Sequence, residues 1–204
     1  NWSIAPVDDD PSNTIYILLD RTVPVTPTFS VSPPTITNLT GGVGFTVAAS
    51  DPVTNSVNSG LSYYAVTTGV QTPLPTSTTG VFSGVVPAAQ GNNTISIVAY
   101  DNAGNASNPR TTSVFFDTQK PVTPTFVTGE TPSTPTNANI GFTVTATDPG
   151  GVAGSGIERY VVTSGVIPAQ IDTESEDGEF NGLTPAAQGN NTIVIAVYDN
   201  AGNK

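Results

Sequence analysis

The chain of 204 residues contains no cysteine, no histidine and no methionine. It therefore forms no disulfide bond, and it lacks the thiolate and imidazole groups of many metal sites and nucleophile pairs. The absence of cysteine does not identify a redox compartment. A cysteine-free composition rich in threonine, serine, asparagine and glycine is nevertheless common in exported microbial surface proteins.

Positive charge is also scarce, since only five lysine and arginine residues accompany 16 aspartate and glutamate residues, for a net charge of −11. Nucleic-acid binding is excluded as a function class, because little in the chain could neutralise phosphate groups. The acidic balance favours solubility and the binding of cations. No apolar run approaches the length of a transmembrane helix, so we expect no membrane span.

What the chain does contain is a repeat with a period near 97 residues, which predicts two units of similar fold. The repeat is out of frame with the ends of the chain. The first copy continues into the apolar run Thr111–Phe116, whereas the second copy reaches Lys204 without such a run. Three segments of the first copy return almost unchanged: 20–29 as 117–126, 87–94 as 185–192, and 100–105 as 198–203.

Short β-branched runs between proline and glycine residues predict an all-β fold, with two tandem immunoglobulin-like sandwiches. We predict an N-terminal segment at 1–20, a first unit at 21–117 and a second unit at 118–204. The second unit lacks the last strand, G. In the first unit the predicted strands are A at Val25–Val31, B at Val43–Ala49, C at Leu61–Thr67, E at Gly80–Val86, F at Thr94–Tyr100 and G at Thr111–Phe116. In the second unit they are B at Ile140–Thr147, C at Ile157–Thr163, E at Glu179–Leu183 and F at Thr192–Tyr198.

Two motifs recur in both copies. One is an Asp-x-x-x-Pro opening, from Asp20 to Pro24 and from Asp117 to Pro121, and the other is Asp-Asn-Ala-Gly-Asn after strand F. With these motifs the sequence resembles the bacterial immunoglobulin-like, cadherin-like repeats of large surface adhesins. The resemblance implies an extracellular protein at a cell surface, and it leaves the exact role open because such modules serve many proteins.

Acidic and amide side chains cluster at one predicted pole of each unit. In an immunoglobulin topology the start of strand A and the B–C and F–G loops meet at that pole. Calcium takes six to eight oxygen ligands, so we predict a calcium ion at each pole, stiffening the junction with the preceding unit. The alternative is that these residues only form turns with their own backbone. The predicted ligands are Asp20, Asp51, Asp101, Asn102 and Asn105 in the first unit, and Asp117, Asp148, Asp199, Asn200 and Asn203 in the second.

Weaker signals lie elsewhere in the chain. The acidic run Asp172–Glu179 is interpreted as a solvated loop, with a low-affinity cation site or a partner contact as the alternative. Asn-x-Ser/Thr sequons make glycosylation a weak prediction, because chance produces many of them in such a composition. These sequons include Asn38, Asn92, Asn105 and Asn190.

The N-terminal segment carries an apolar run that matches strand G in position and has no unit of its own. Ile15, Tyr16, Ile17, Leu18 and Leu19 run directly into Asp20, as Phe116 runs into Asp117. Left exposed, such a run would be prone to aggregation. We predict that it fills the missing strand G of the second unit in another molecule, which gives a head-to-tail polymer because such a contact does not close.

The sequence therefore favours a non-enzymatic structural subunit of an extracellular filament, similar to donor-strand-exchange pili. One alternative is a tandem spacer segment of a large adhesin or surface-layer protein. Another is an accessory binding module of a secreted carbohydrate-active enzyme, with Tyr63, Tyr64 and Tyr160 as the candidate aromatic surface. A ligand on a host or neighbouring cell is left open. No paired carboxylates are expected across a cleft, so catalysis is not predicted.

Overall fold

The protein is built from antiparallel β-strands in a computed structural model that describes residues 17–32, 36–38, 42–127 and 137–204. The helical elements in these ranges are single-turn 3-10 helices at Gly151–Ala153 and Pro168–Gln170. None of the helices described is long and apolar enough to cross a membrane. The prediction of an all-β fold is confirmed.

Eight strands form the two sheets of the first unit. The strands are β1 Thr28–Ser32, β2 Ile36–Thr37, β3 Val43–Ala48, β4 Leu61–Thr68, β5 Thr76–Ser77, β6 Val81–Val85, β7 Gly91–Asp101 and β8 Arg110–Phe116. One sheet has the order β1-β3-β6 and the other has the order β2-β8-β7-β4-β5, in which only β2 and β8 pair in parallel. Strands β1, β3, β4, β6, β7 and β8 correspond to the predicted strands A, B, C, E, F and G.

Alternating side chains of the two sheets form the first core, as the period of two along a strand requires. Val43, Phe45 and Val47 of β3 are buried, whereas the residues between them are more exposed. They pack with side chains from the second sheet, including Ile95 and Ile97. Burial of this alternating set, rather than local propensity, fixes which face of each strand points inward.

The second unit repeats this arrangement with fewer strands among the described residues. The strands are β9 Thr125–Phe126, β10 Ile140–Thr145, β11 Ile157–Ser164, β12 Glu174–Ser175, β13 Glu179–Leu183 and β14 Val194–Asp199. One sheet has the order β13-β10-β9 and the other has the order β12-β11-β14. The buried cluster of this unit includes Phe142, Val162 and Phe180 and shares no residue with the first cluster.

The outer edge of β14 is open within the described residues. In the first unit β7 pairs with β4 on one side and, over the seven residues Gly91–Ile97, with β8 on the other. In the second unit β14 pairs with β11 alone. The residues that match the start of β7, at 189–193, form no strand. Among the described residues, no strand therefore pairs with residues 189–195 on the side where β8 pairs with Gly91–Ile97 in the first unit.

Several strand boundaries differ from those predicted. Strand A begins at Thr28 instead of Val25, because Pro24 and Pro27 lack the N–H that pairing requires. Strand F of the first unit begins at Gly91 instead of Thr94, since β8 pairs with it that far. The short strands β2, β5 and β12 were not predicted, because two residues give no periodic signal.

Candidate functional site

Three aspartates meet at the N-terminal pole of the first unit. Asp20 precedes β1, Asp51 follows β3, and Asp101 ends β7. Each offers a carboxylate oxygen, and these oxygens all lie within 4.8 Å of one another. The topology causes this meeting, because β3 and β7 both end at the pole where the chain enters β1.

The second unit reproduces the cluster with Asp117, Asp148 and Asp199, whose carboxylate oxygens also lie within 4.8 Å of one another. Asp117 and Asp199 are fully buried. Asp117 directly follows the last residue of β8, so one aspartate joins the final strand of the first unit to the pole of the second. The six predicted aspartates therefore form two matching clusters.

Backbone N–H groups hold the first aspartate of each cluster. Asp20 accepts from Thr22 at 2.9 Å and from Ser59 at 2.7 Å. Asp117 accepts the equivalent bonds from Gln119 at 2.9 Å and from Ser155 at 2.7 Å. The Thr22 N–H, with Ser59 adding to it, lowers the pKa of Asp20, because hydrogen bonds to a carboxylate favour its charged form.

An asparagine in the F–G loop donates hydrogen bonds to the last aspartate of each cluster. The backbone N–H of Asn105 donates to Asp101 Oδ1 at 2.8 Å, and its side-chain Nδ2 donates to Asp101 Oδ2 at 2.7 Å. The same Nδ2 donates to the backbone oxygen of Asp20 at 3.2 Å. Asn203 makes all three bonds in the second unit, at 2.8 Å and 2.7 Å to Asp199 and 3.1 Å to the backbone oxygen of Asp117.

Asp51 and Asp148 each keep one carboxylate oxygen that accepts no hydrogen bond from the described residues. Their Oδ2 atoms accept from the N–H groups of Gly60 at 2.7 Å and Gly156 at 2.5 Å. Their Oδ1 atoms are buried and have no partner in the part of the chain that the structure describes. Burial raises the pKa of Asp148, and the charges of the two neighbouring aspartates add to the effect. An unpaired buried oxygen at the same position in both units is the feature that a hard cation would satisfy.

Asn102 and Asn200 take a different position from the aspartates. Asn102 Nδ2 donates to the backbone oxygens of Ser59 at 2.8 Å and Gly60 at 3.1 Å. Asn200 makes the matching bonds to Ser155 and Gly156, at 2.9 Å and 3.1 Å. All four predicted asparagines therefore use their Nδ2 atoms to fasten loops, which the motif did not reveal.

The predicted glycosylation sites have contrasting surroundings. Asn92 and Asn190 are exposed, whereas Asn38 is half-buried with its Nδ2 beside Gly202 of the second unit. Asn105 is half-buried, and attachment of a glycan at its Nδ2 would replace one of the two N–H groups that it donates within the carboxylate cluster. Glycosylation at these positions stays a prediction.

The acidic run Asp172–Glu179 includes β12 and the turn after it and ends at the first residue of β13, and none of its carboxylates belongs to either aspartate cluster. Its carboxylates are exposed, and Glu174 pairs with Arg159 at 3.2 Å. Asp177 accepts hydrogen bonds from the Ser175 hydroxyl at 2.7 Å and from the Glu179 N–H at 3.0 Å. These contacts fit the interpretation as a solvated loop.

The three candidate tyrosines do not form one surface. Tyr64 and Tyr160 are core residues, and their hydroxyls accept hydrogen bonds from the N–H groups of Ala49 and Ala146. Tyr63 is half-buried and stacks on Tyr100, with ring centroids 4.7 Å apart. Core packing therefore accounts for two of the three.

The apolar N-terminal run is described from Ile17 onward, so Ile15 and Tyr16 lie outside the described residues. Ile17, Leu18 and Leu19 form no strand and are 81%, 63% and 58% exposed. Among the described residues, three consecutive large apolar side chains are therefore exposed directly before the buried Asp20.

Sequence reasoning missed one contact at the junction between the units. Gln90 Nε2 donates to the hydroxyl of Thr118 at 2.8 Å, and Gln90 Oε1 accepts from the Thr118 N–H at 3.0 Å. Gln90 belongs to the repeated segment Pro87–Thr94. That repetition was visible in the sequence, but the partner of the glutamine was not.

Comparison with known proteins supports the immunoglobulin-like character of the chain. Residues 37–118 match the family model of the bacterial Ig-like domain, which confirms the resemblance to bacterial immunoglobulin-like repeats. No curated protein sequence matches the chain. The solved fibronectin(III)-like modules of CbhA from Clostridium thermocellum are similar over 86% of this chain and 88% of that chain, at 19% identity and a TM-score of 0.46.

Proposed function

We propose that the chain is a non-enzymatic structural subunit of an extracellular cell-surface filament. Subunits join head to tail when the apolar N-terminal run of one copy enters the second unit of another copy as its strand G. Calcium at the two aspartate clusters stiffens the junctions. Residues 189–195 have no strand beside them among the described residues, whereas their counterparts Gly91–Ile97 pair with β8, and this contrast carries the proposal.

The junction inside the chain is the template for the junction between copies. Phe116 is 7% exposed and pairs with Gly91, so β8 closes the first unit. The next residue, Asp117, is already part of the second unit's aspartate cluster. One continuous segment thus completes one unit and enters the next.

The N-terminal run and the second unit correspond to the strand β8 and the first unit of the internal junction. Leu19 precedes Asp20 as Phe116 precedes Asp117, and the first unit's cluster receives Asp20. In this register Ile17 and Leu19 match Val114 and Phe116, whose side chains are buried. Burying Ile15, Ile17 and Leu19 in a neighbouring copy would contribute about 5–9 kcal/mol before ordering costs.

The acceptor side shows the consequence of the open edge. Ile95 and Ile97 of β7 are fully buried beside β8. Their counterparts in the second unit are less covered, since Ile193 is half-buried and Ile195 is 9% exposed. A donated strand at this edge would restore backbone pairing and cover these side chains, which is strand addition.

Calcium is the cation that we propose for these clusters. The donors at each pole are carboxylate oxygens of three aspartates, which are hard ligands. Asp20, Asp51 and Asp101 would hold the ion in the first unit, and Asp117, Asp148 and Asp199 in the second. The ion would neutralise mutual repulsion of the carboxylates and satisfy the unpaired Oδ1 atoms.

Electron microscopy of the purified chain tests the filament. We expect long polymers from residues 1–204, and none from a variant that lacks residues 1–19 or carries Ile17→Asp and Leu19→Asp. Val23→Asp is the matched control, because Val23 is also an exposed apolar residue, at 50%, but follows the donated run. Circular dichroism checks that each variant keeps its fold.

Polymers that still form without residues 1–19 would contradict strand donation. A chain that stays monomeric in all forms would instead favour tandem immunoglobulin-like spacers of an adhesin or surface-layer protein. In such a protein the following residues of the same chain would supply strand G.

A further inference from the structure

One glutamine makes two of the hydrogen bonds at the internal junction. Gln90 lies in the loop between β6 and β7 and bonds twice to Thr118, the residue after Asp117. One bond is to the backbone N–H, which every residue except proline offers, and the other requires a hydroxyl. This contact joins the end of the first unit to the first residue of the second.

A buried asparagine holds that loop in shape. Asn93 accepts from the Ala89 N–H at 3.0 Å and donates to the backbone oxygens of Ala89 and Gly91, both at 2.8 Å. Gly91, with φ of 85°, lies close to Ala153, as an added Cβ would come 3.2 Å from the Ala153 Cα. The loop therefore presents Gln90 at a packed interface.

The second unit forms the same loop, and none of the described residues lies within 4 Å of the Cβ position of its Gly189. Asn191 accepts from the Ala187 N–H at 3.0 Å and donates to the backbone oxygens of Ala187 and Gly189 at 2.8 Å and 3.0 Å. Gly189 keeps a positive φ of 97°, but its Cβ position meets open space. Gln188, the counterpart of Gln90, is exposed and makes no side-chain hydrogen bond with the described residues.

We propose that Gln188 docks a second copy of this chain by accepting a hydrogen bond from the backbone N–H of its Arg21. This inference rests on the proposed filament. Arg21 follows Asp20 as Thr118 follows Asp117, so it occupies the position that Gln90 binds in the internal junction. Arginine has no acceptor oxygen, so only one of the two bonds can form. At this position the junction between copies therefore has one hydrogen bond fewer than the junction within a copy.

The test measures how fast labelled subunits leave preformed polymers when unlabelled chain is added in excess. Gln188→Ala removes the one bond and is expected to speed dissociation about two- to tenfold. Gln71→Ala is the control, because Gln71 is exposed at another loop. Arg21→Thr supplies the missing hydroxyl and is expected to slow dissociation by a similar factor relative to Arg21→Val, which has the same shape without it.

The decisive result is whether the effect of substituting Arg21 depends on Gln188. In a Gln188→Ala background, Arg21→Thr and Arg21→Val are expected to dissociate at equal rates. Polymers whose dissociation is unchanged by Gln188→Ala, or by Arg21→Thr relative to Arg21→Val, would overturn the docking role and leave the filament standing. A chain that forms no polymer would overturn the filament, and this inference with it.

Discussion

The carboxylate of Asp117 accepts a hydrogen bond from the backbone N–H of Ser155 at 2.7 Å. Asp117 directly follows β8, the last strand of the first unit, and Ser155 lies in a loop of the second. One residue therefore links the final strand of the first unit to the aspartate cluster of the second unit. Asp20 and Ser59 have the same relationship, also at 2.7 Å, so the chain's N-terminal run enters a pole built in the same way.

Removing one carboxylate should separate the destabilising effect of clustered charge from the stabilising effect of a bound cation. Asp148→Asn keeps an acceptor for the Gly156 N–H but removes the charge of a carboxyl group, and burial raises the pKa of that group. Without calcium, stability falls as pH rises from the ordinary aspartate pKa through this raised value. We therefore expect Asp148→Asn to melt at a higher temperature than the parent at neutral pH in chelator.

Calcium should reverse that order. At about 100 times its dissociation constant, a ligand stabilises the folded state by about 2.7 kcal/mol, so the parent's melting temperature should rise. Asp148→Asn should lose this rise for the second unit, and Asp51→Asn for the first. Glu176→Gln, at an exposed loop carboxylate, should keep it. Equal calorimetric melting curves with calcium and with chelator would contradict the calcium site.

The sequence predicted strands where alternation and turn residues were clear. Strand E at Glu179–Leu183 was located to the residue, and strand C of both units differed by one residue at its end. It also brought six aspartates to two poles, because strand topology alone determines where loops meet. These predictions needed no knowledge of side-chain conformation.

Contacts that depend on side-chain direction could not be predicted in this way. The motif Asp-Asn-Ala-Gly-Asn suggested oxygen ligands, whereas Asn105 and Asn203 turn their Nδ2 atoms toward carboxylates. Tyr63 and Tyr64 are neighbours in sequence and face opposite sides of β4, so one stacks on Tyr100 and the other is buried in the core. Gln90 found its partner across a junction that no local pattern describes.

A glycine before β13 should tolerate no side chain. Gly178 has φ of 80°, and an added Cβ would lie 2.1 Å from the backbone oxygen of Val144. Gly178→Ala should therefore lose more stability than Gly182→Ala, where φ is 73° and nothing lies within 4 Å. Gly182→Ala should lower the free energy of unfolding by about 1–2 kcal/mol, because alanine is strained in the left-handed backbone conformation. Urea denaturation compares the two, and equal losses would show that the close approach does not govern the cost.

Acid should weaken the hairpin that contains Asp177. The backbone N–H of Glu179, with the Ser175 hydroxyl, lowers the pKa of Asp177. A carboxyl group with a lowered folded pKa contributes stability above its unfolded pKa and loses it as pH falls through the folded value. Asp177→Asn should therefore lower the melting temperature at pH 7 and leave it closer to the parent's at low pH. A difference between the two proteins that is the same at both pH values would contradict this assignment.

Hydrogen exchange at residues 189–194 tests strand donation most directly. These residues match Gly91–Ser96 of β7, which β8 covers in the first unit. The protein without residues 1–19 is mixed with a peptide of residues 14–20, and exchange is followed at the amides of residues 189–194. We expect these amides to become protected toward the level of their counterparts in β7. A peptide carrying Ile17→Asp should give no protection. Exchange at these amides that is unchanged by saturating parent peptide would contradict the account.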